Sequence, residues 1–356
     1  MVFYKDLEKI IFDDTKDADE LIILSGYIGL EPIQQTSELP YTTKIIYGMY
    51  EDSGISEVLH DSVVRINKTL AKTEVLYSLS AVHSKCYIWR KDNEIQEALL
   101  GSANFTMPGL NTPEREILSD VSKDSFKVLN EYVNKIIQNS VNCCNIEKSK
   151  LKIMSYIRPK FGIEENDLSF EKCDATLLGQ GNKVPEHSGL NWGLANAHVS
   201  EGDAYITITK KMIEDYSFLF PPKQMTITKA SDEGKENRQN DYIEILWDDG
   251  TLMKGLLEGN QDIDGVLYPN KISSFPKKNI LGKYLRNRLG VDLNHMITTD
   301  DLHKYGRTYI TISLIGEGVY SMDFSPIDLY SNEKDYSLKV ADKHDEYVTK
   351  TLKKKY

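Results

Sequence analysis

The sequence predicts two unlike domains: an α/β sandwich on a mixed sheet, then a mainly-β unit that suggests a small β-barrel. Three observations carry this expectation. In the first half, short apolar runs alternate with apolar residues at helical spacing. In the second half, short β-type segments follow one another, separated by turn residues. Between them, residues 161–186 turn acidic and glycine-containing, as a linker entering a new domain would. The 356 residues are also long for one domain, which usually spans roughly 100–200. The expected boundaries are 1–160 and 161–356.

Leu21-Ile22-Ile23-Leu24-Ser25-Gly26-Tyr27 reads as a buried strand ending in a turn, and residues 44–48 as a second strand. Within 54–70, Ile55, Val58, Leu59, Val63 and Ile66 share one helical face. Further strands are expected at 74–79, 81–89, 97–100 and 116–121. A helix carrying Phe126, Leu129, Val133, Ile136 and Ile137 closes the unit. Beyond the linker, strands are expected at 203–209, 225–228, 242–247, 252–257, 308–315 and 318–324. Asp248-Asp249-Gly250 and Gly316-Glu317-Gly318 supply two of the turns. One helical stretch, 279–289, carries Lys283, Arg286 and Arg288, and the lysine-rich residues 350–355 read as a solvated tail.

Charge limits the function classes. Against 43 Lys and Arg stand 54 Asp and Glu, a net charge of −11, and each half is net acidic. Nucleic-acid binding through overall charge is thereby excluded, so any DNA contact must rest on local patches and shaped loops. No run approaches the roughly 18 apolar residues that span a bilayer. The N-terminus lacks a secretion-signal pattern, so a cytoplasmic location is expected. Cys86, Cys143, Cys144 and Cys173 lack zinc-ligand spacing and read as thiols in a reducing compartment. No metal site and no cofactor are expected.

The chemistry gathers in the first half. On a strand, residues two apart point to one face, so His83 and Lys85 of His83-Ser84-Lys85 project together. Alone, such a pair also fits two solvated side chains on an edge strand. The next strand, however, delivers Gly101-Ser102-Ala103-Asn104, a turn that sets Ser102 and Asn104 on one side with backbone N–H groups able to cradle an anion. Glu114-Arg115-Glu116 then opens another apolar strand, where a carboxylate can orient a histidine ring through its second nitrogen. Histidine, lysine, Gly-Ser-x-Asn and glutamate in this order suit attack on a phosphodiester.

These residues resemble the phospholipase D superfamily, marked by H-x-K, G-S-x-N and a following glutamate, and within it the nucleases with one motif per chain. The resemblance implies that His83 attacks phosphorus and forms a phosphohistidine, with no metal at the cleavage step. It implies that Lys85 and Asn104 hold the non-bridging oxygens, that Ser102 adds a hydrogen bond, and that Glu116 orients the histidine, with Glu114 as its rival. The superfamily often has an aspartate five residues after the lysine. Here Arg90 stands there and Asp92 two further on, a departure that weakens a lipase reading and is common among single-motif nucleases. None of His60, His187, His198, His295, His303 and His344 begins a second motif. The chemistry needs a second histidine as acid, so a homodimer sharing two copies of His83 is implied.

The second half resembles the companion domain of the NgoFVII/NgoAVII restriction endonucleases. The matching strings are Ser188-Gly189-Leu190-Asn191-Trp192-Gly193, the Leu281-Gly282 to Leu289-Gly290 stretch, Asp301-Leu302 with Tyr305-Gly306-Arg307-Thr308, and Tyr320-x-Met322-Asp323-Phe324-Ser325. The resemblance implies a plant B-three-like pseudobarrel whose two arms enter the major groove of double-stranded DNA. The first arm is expected at 183–196, with Asn191 suited to adenine and Lys183 to phosphate or guanine. The second is expected at 259–271, with Asn260, Gln261, Asp262, Asn270 and Lys271. Trp192 is expected to anchor the first arm by packing, and Arg286, Arg288 and Arg307 to bind carboxylates inside the barrel. A Type II-like restriction endonuclease follows, with a cognate methyltransferase and in some relatives a partner ATPase. The rivals are a lipid- or RNA-directed phosphodiesterase and a DNA-binding subunit of a larger assembly.

Overall fold

The computed structural model describes residues 1–152, 172–196, 198–223 and 240–327. The strand expected at 225–228, the tail at 350–355 and most of the linker lie outside them. The chain divides into two compact units. Unit 1 holds Met1–Asp167, Gln224–Glu244 and Ile315–Val319, and unit 2 holds Leu168–Lys223, Ile245–Leu314 and Tyr320–Tyr356.

Unit 1 is built on an eight-stranded mixed sheet. Its strands are β1 (Val2–Phe3), β2 (Glu20–Ser25), β3 (Thr42–Tyr47), β4 (Thr73–Ser78), β5 (Cys86–Lys91), β6 (Glu94–Gly101), β7 (Leu118–Asp120) and β8 (Ser140–Asn142). They lie in the order β1-β7-β6-β5-β2-β3-β4-β8. The three adjacent strands β2, β3 and β4 run parallel, and all other neighbouring pairs are antiparallel. Parallel strands are usually covered on both faces, which explains why β2 reads as an unbroken apolar run. Ile22, Leu24, Ile46, Leu76 and Ile88 share one core with Leu129, Val133 and Ile136 of the helix Phe126–Gln138. Leu21, Ile23, Ile45 and Val75, alternating with them, are fully buried too. Helix Glu57–Thr69 starts where the Ser56 side chain accepts the Leu59 N–H, relieving one unpaired donor of the first turn.

The strand expected at 81–89 is corrected: pairing begins at Cys86, and residues 81–85 lead into it unladdered. This lead-in is pinned at two points, the Val82 N–H on the Gly48 carbonyl and the Gly101 N–H on the Lys85 carbonyl.

The second sheet has seven strands: β9 (Lys172–Thr176), β10 (Ile206–Thr207), β11 (Asp241–Trp247), β12 (Leu252–Glu258), β15 (Lys271–Ser274), β16 (Tyr309–Gly316) and β17 (Val319–Asp323). The order is β10-β15-β12-β11-β17-β16-β9, and contact between the terminal β10 and β9 makes the sheet nearly closed and barrel-like. β13 (Gln261–Ile263) and β14 (Val266–Tyr268) form a separate two-stranded hairpin. The helix expected at 279–289 spans Asn279–Leu289, ended by Gly290 in the left-handed region. Residues 172–176, expected within the linker, pair with β16 instead, since alternating Cys173 and Ala175 turn inward to the core.

Candidate active site

The end of β2 is the floor of the site. A β-carbon on Gly26 would stand 2.7 Å from Cδ2 of His83, 3.1 Å from Oδ1 of Asn104 and 3.2 Å from Nζ of Lys85. Three side chains from two separate stretches of chain thus converge over one bare α-carbon. Glycine there leaves room for all of them. The Gly101 of the Gly-Ser-x-Asn turn is similarly constrained, since a β-carbon would meet the Ile117 carbonyl oxygen at 1.9 Å.

Each group is held from behind. Ser25 Oγ receives the Phe105 N–H at 2.8 Å, and the Tyr27 N–H donates to Asn104 Oδ1 at 3.3 Å, so Asn104 turns its NH2 outward into the site. Lys85 is buried, and its ammonium donates to the His83 carbonyl at 2.8 Å. The Tyr27 ring meets His83 edge-on, with centroids 6.0 Å apart. Partial burial and the Lys85 charge both lower the His83 pKa, which keeps the imidazole neutral near pH 7, the form that carries a free lone pair. Burial also lowers the Lys85 pKa, opposed by the carboxylates of Glu317 and Glu116.

The two glutamates are placed differently. Glu116 lies close enough to act electrostatically on Lys85, whereas Glu114 pairs with Lys5 at 3.8 Å. Ser102 accepts the Ile117 N–H on its Oγ at 3.1 Å, tying the glutamate segment to the Gly-Ser-x-Asn turn and leaving its hydroxyl proton to donate. Among the described residues, no three His, Cys, Asp or Glu side chains form a group that could hold a metal ion.

Glu317 was not foreseen as a site residue. Its Oε2 accepts from Asn104 Nδ2 at 2.6 Å. Burial and nearby Glu116 push its pKa up to about 7, while Lys85, Asn104 and Arg115 pull the other way. The only sequence signal was an acid between two glycines in a turn.

The expected DNA-reading residues of unit 2 are less uniform. Lys183 is exposed. Asn191, expected at an adenine edge, is fully buried: its NH2 donates to the Pro185 and Ile297 carbonyls and its oxygen accepts the Ile297 N–H. With both ends used, its amide braces the loop and presents no edge to a base. Gln261 similarly spends its NH2 on the Ile208 and Pro269 carbonyls. Asn270 donates to the Asn260 carbonyl, and Lys223 to the Asn260 side chain, which fixes the foot of the β13–β14 hairpin. Lys271 lies over the Trp192 ring at 4.7 Å and pairs with Glu258. Trp192 packs edge-on to Tyr205, as an anchor would. Arg288 makes a two-pronged pair with Asp248, and Arg307 pairs with Asp323 at 2.8 Å. These two arginines serve the barrel, as the sequence suggested; Arg286, expected to bind a carboxylate with them, instead donates to the His295 and Gly282 carbonyls and to the Asn191 side chain.

Fold and family models together define a phospholipase D-type domain joined to a B3-like DNA-binding domain. The model of the NgoFVII restriction endonuclease N-terminal PLD domain matches residues 5–149, and that of the NgoFVII C-terminal B3-like DNA-binding domain matches 168–316. The chain belongs to the NgoFVII restriction endonuclease family. No curated protein sequence matches it. Among solved structures, NucT from Helicobacter pylori is 17% identical over 40% of this chain and 97% of its own, with a TM-score of 0.30. Nuc from Salmonella typhimurium, a phospholipase D family member, is 11% identical over 38% and 89%, with a TM-score of 0.25. The phosphatidylserine synthase of Haemophilus influenzae Rd KW20 is 12% identical over 46% and 44%, with a TM-score of 0.29. Among the described residues, no helix is long and apolar enough to cross a membrane.

Proposed function

We propose that this restriction endonuclease cleaves double-stranded DNA at specific sites, as a Type II-like enzyme, through a phosphohistidine on His83 and without a metal at the cleavage step. The convergence of His83, Lys85 and Asn104 over Gly26 carries the reading. A neutral His83 nitrogen attacks phosphorus, and the bond to the leaving strand's oxygen breaks. Lys85 and Asn104 stabilise charge on the non-bridging oxygens, where donors fixed in advance do the most. The two histidines of the pair hold one proton between them, so the leaving oxygen takes it from the imidazolium of His83 of a second copy. Water then displaces the first histidine, its proton passes to the second, and both imidazoles are restored. Glu116 orients the imidazole and Ser102 donates to the phosphate.

The second copy docks on the apolar face beside the site. A groove lined by Lys85, Gly101, Leu100, Val128 and Tyr132 opens there, and Val128 is 67% exposed. An exposed apolar patch bordering a half-complete active site is the surface a two-fold partner covers. In unit 2, Lys183, Asn260 and the β13–β14 hairpin are the parts left to meet DNA, with Lys183 contacting phosphate. A cognate methyltransferase protects host DNA, and a partner ATPase is compatible with the same site.

The test incubates the full chain and a His83→Ala variant with unmethylated plasmid in EDTA. Discrete cleavage by the wild type, abolished in the variant, is expected. Cleavage that needs added magnesium, or that persists in the variant, sinks the mechanism. Activity on RNA or phospholipid in its place favours the rival substrates.

A further inference from the structure

We propose that Glu317 is a built-in competitor of the scissile phosphate, a carboxylate seated on Asn104 beside Lys85 that DNA must displace before cleavage. The inference rests on the reading of His83, Lys85 and Asn104 as a phosphodiesterase site. It adds that the site is closed by the chain's own acid.

The argument begins with chemistry. A carboxylate and a phosphodiester both present a pair of anionic oxygens to N–H donors at the same distances. Asn104 Nδ2, assigned to a non-bridging phosphate oxygen, is already donating to Glu317 Oε2 at 2.6 Å. Glu317 also lies within the field of Lys85, the other group assigned to the phosphate. One donor cannot serve both anions at full strength, so the two compete.

The turn that carries the acid is built to enter this space. Glu317 lies between Gly316 and Gly318, in a segment that belongs to unit 1. A β-carbon on Gly316 would stand 2.8 Å from Leu59 Cδ2, and one on Gly318 would stand 2.5 Å from Pro108 Cγ. Gly318 also holds φ at +68°, a conformation that other residues rarely adopt. Ser56 Oγ donates to the Ile315 carbonyl at 3.0 Å, which fixes the approach of the turn. Two bare positions thus let the acid reach Asn104. The plug is nonetheless uneasy in place, because Glu116 faces it with like charge and burial disfavours its ionised form.

The experiment measures tungstate binding to the full chain by calorimetry, with wild type, Glu317→Ala and Glu317→Gln compared. Hydrolysis of bis(p-nitrophenyl) phosphate, a small diester independent of sequence recognition, is followed in parallel. Both variants are expected to bind tungstate about tenfold tighter or more and to hydrolyse the small diester faster, since a like charge is removed from the anion's seat. The glutamine variant keeps an acceptor for Asn104 and guards against loss of folding in the alanine variant. Unchanged or weaker tungstate binding in a folded variant overturns the proposal. Tighter tungstate binding with neither hydrolysis of the small diester nor DNA cleavage by any of the proteins upholds the plug and refutes the phosphodiesterase reading. DNA cleavage by wild type with unchanged tungstate affinity does the reverse.

Discussion

Gly26 shows how much a single absent β-carbon can decide. The sequence marked it only as the turn after a buried strand, yet His83, Lys85 and Asn104 all close over it. Gly26→Ala is expected to lower kcat about 10²-fold while DNA affinity is retained, because displacing reacting groups by less than an ångström destroys attack geometry. A filter-binding assay beside single-turnover cleavage separates the two effects; equal loss of both would argue for general unfolding. Glu317 gives a second prediction at this scale. Its folded pKa of about 7 lies above the ordinary 4.5, so it binds a proton more readily when folded. Its favourable contribution is full below about pH 4.5 and is lost as pH rises through about 7. Groups facing it are Glu116, which deepens the loss, and Lys85 and Arg115, which oppose it. The Tm of Glu317→Gln should exceed that of the wild type at pH 8, and the two should converge near pH 5. A constant difference across that range would refute the assignment.

Short elements depend on contacts that local sequence does not contain. Helix Leu30–Gln35 and helix Met107–Asn111 are each too short to persist by propensity. Both begin at the same buried carboxylate: Glu244 Oε2 accepts the Leu30 and Glu31 N–H groups at 2.6 and 3.0 Å, and Oε1 accepts the Met107 N–H. One acid thus caps two helices, with the negative charge at their positive ends. Burial still pushes its pKa up to about 7. Glu244→Ala leaves three donors without acceptors and is expected to cost about 3 kcal/mol, read from a urea midpoint at unchanged slope. A loss below about 0.5 kcal/mol would mean that water replaces the carboxylate at little cost. Neither helix is legible in the sequence, because six and five residues hold too few turns for a period to show. Helices Glu57–Thr69, Phe126–Gln138 and Asn279–Leu289, by contrast, carry at least three turns of pattern and were legible.

At the scale of the whole molecule, the proposed active site is half of a pair. Val128→Asp places a charge on the exposed apolar face beside Lys85 without touching the core. It is expected to convert a dimer to a monomer in sedimentation and to lower cleavage about 10²-fold or more, the usual worth of a general acid. A monomeric variant with full activity would place the acid within one chain. The net charge of −11 bears on the same question. An acidic molecule repels DNA at long range, so a seated internal carboxylate is a small addition to a barrier that only shaped, local contacts overcome.

The sequence alone carried the class of chemistry and the resemblance of each half, but not the compact units, which interleave along the chain. Histidine, lysine, Gly-Ser-x-Asn and glutamate stand close enough in order to be read directly, and strand and helix periods follow from which faces must be buried. It also supplied the strings that match the recognition domain. The tertiary structure decided what each side chain faces. Glu317 meets Asn104 across 213 positions, and Asn191 is spent inside its own unit on a carbonyl 106 positions away. Neither pairing has a period or a local motif. A buried polar group takes whichever partner the packed chain brings to it, because leaving it unpaired costs more than the bond is worth.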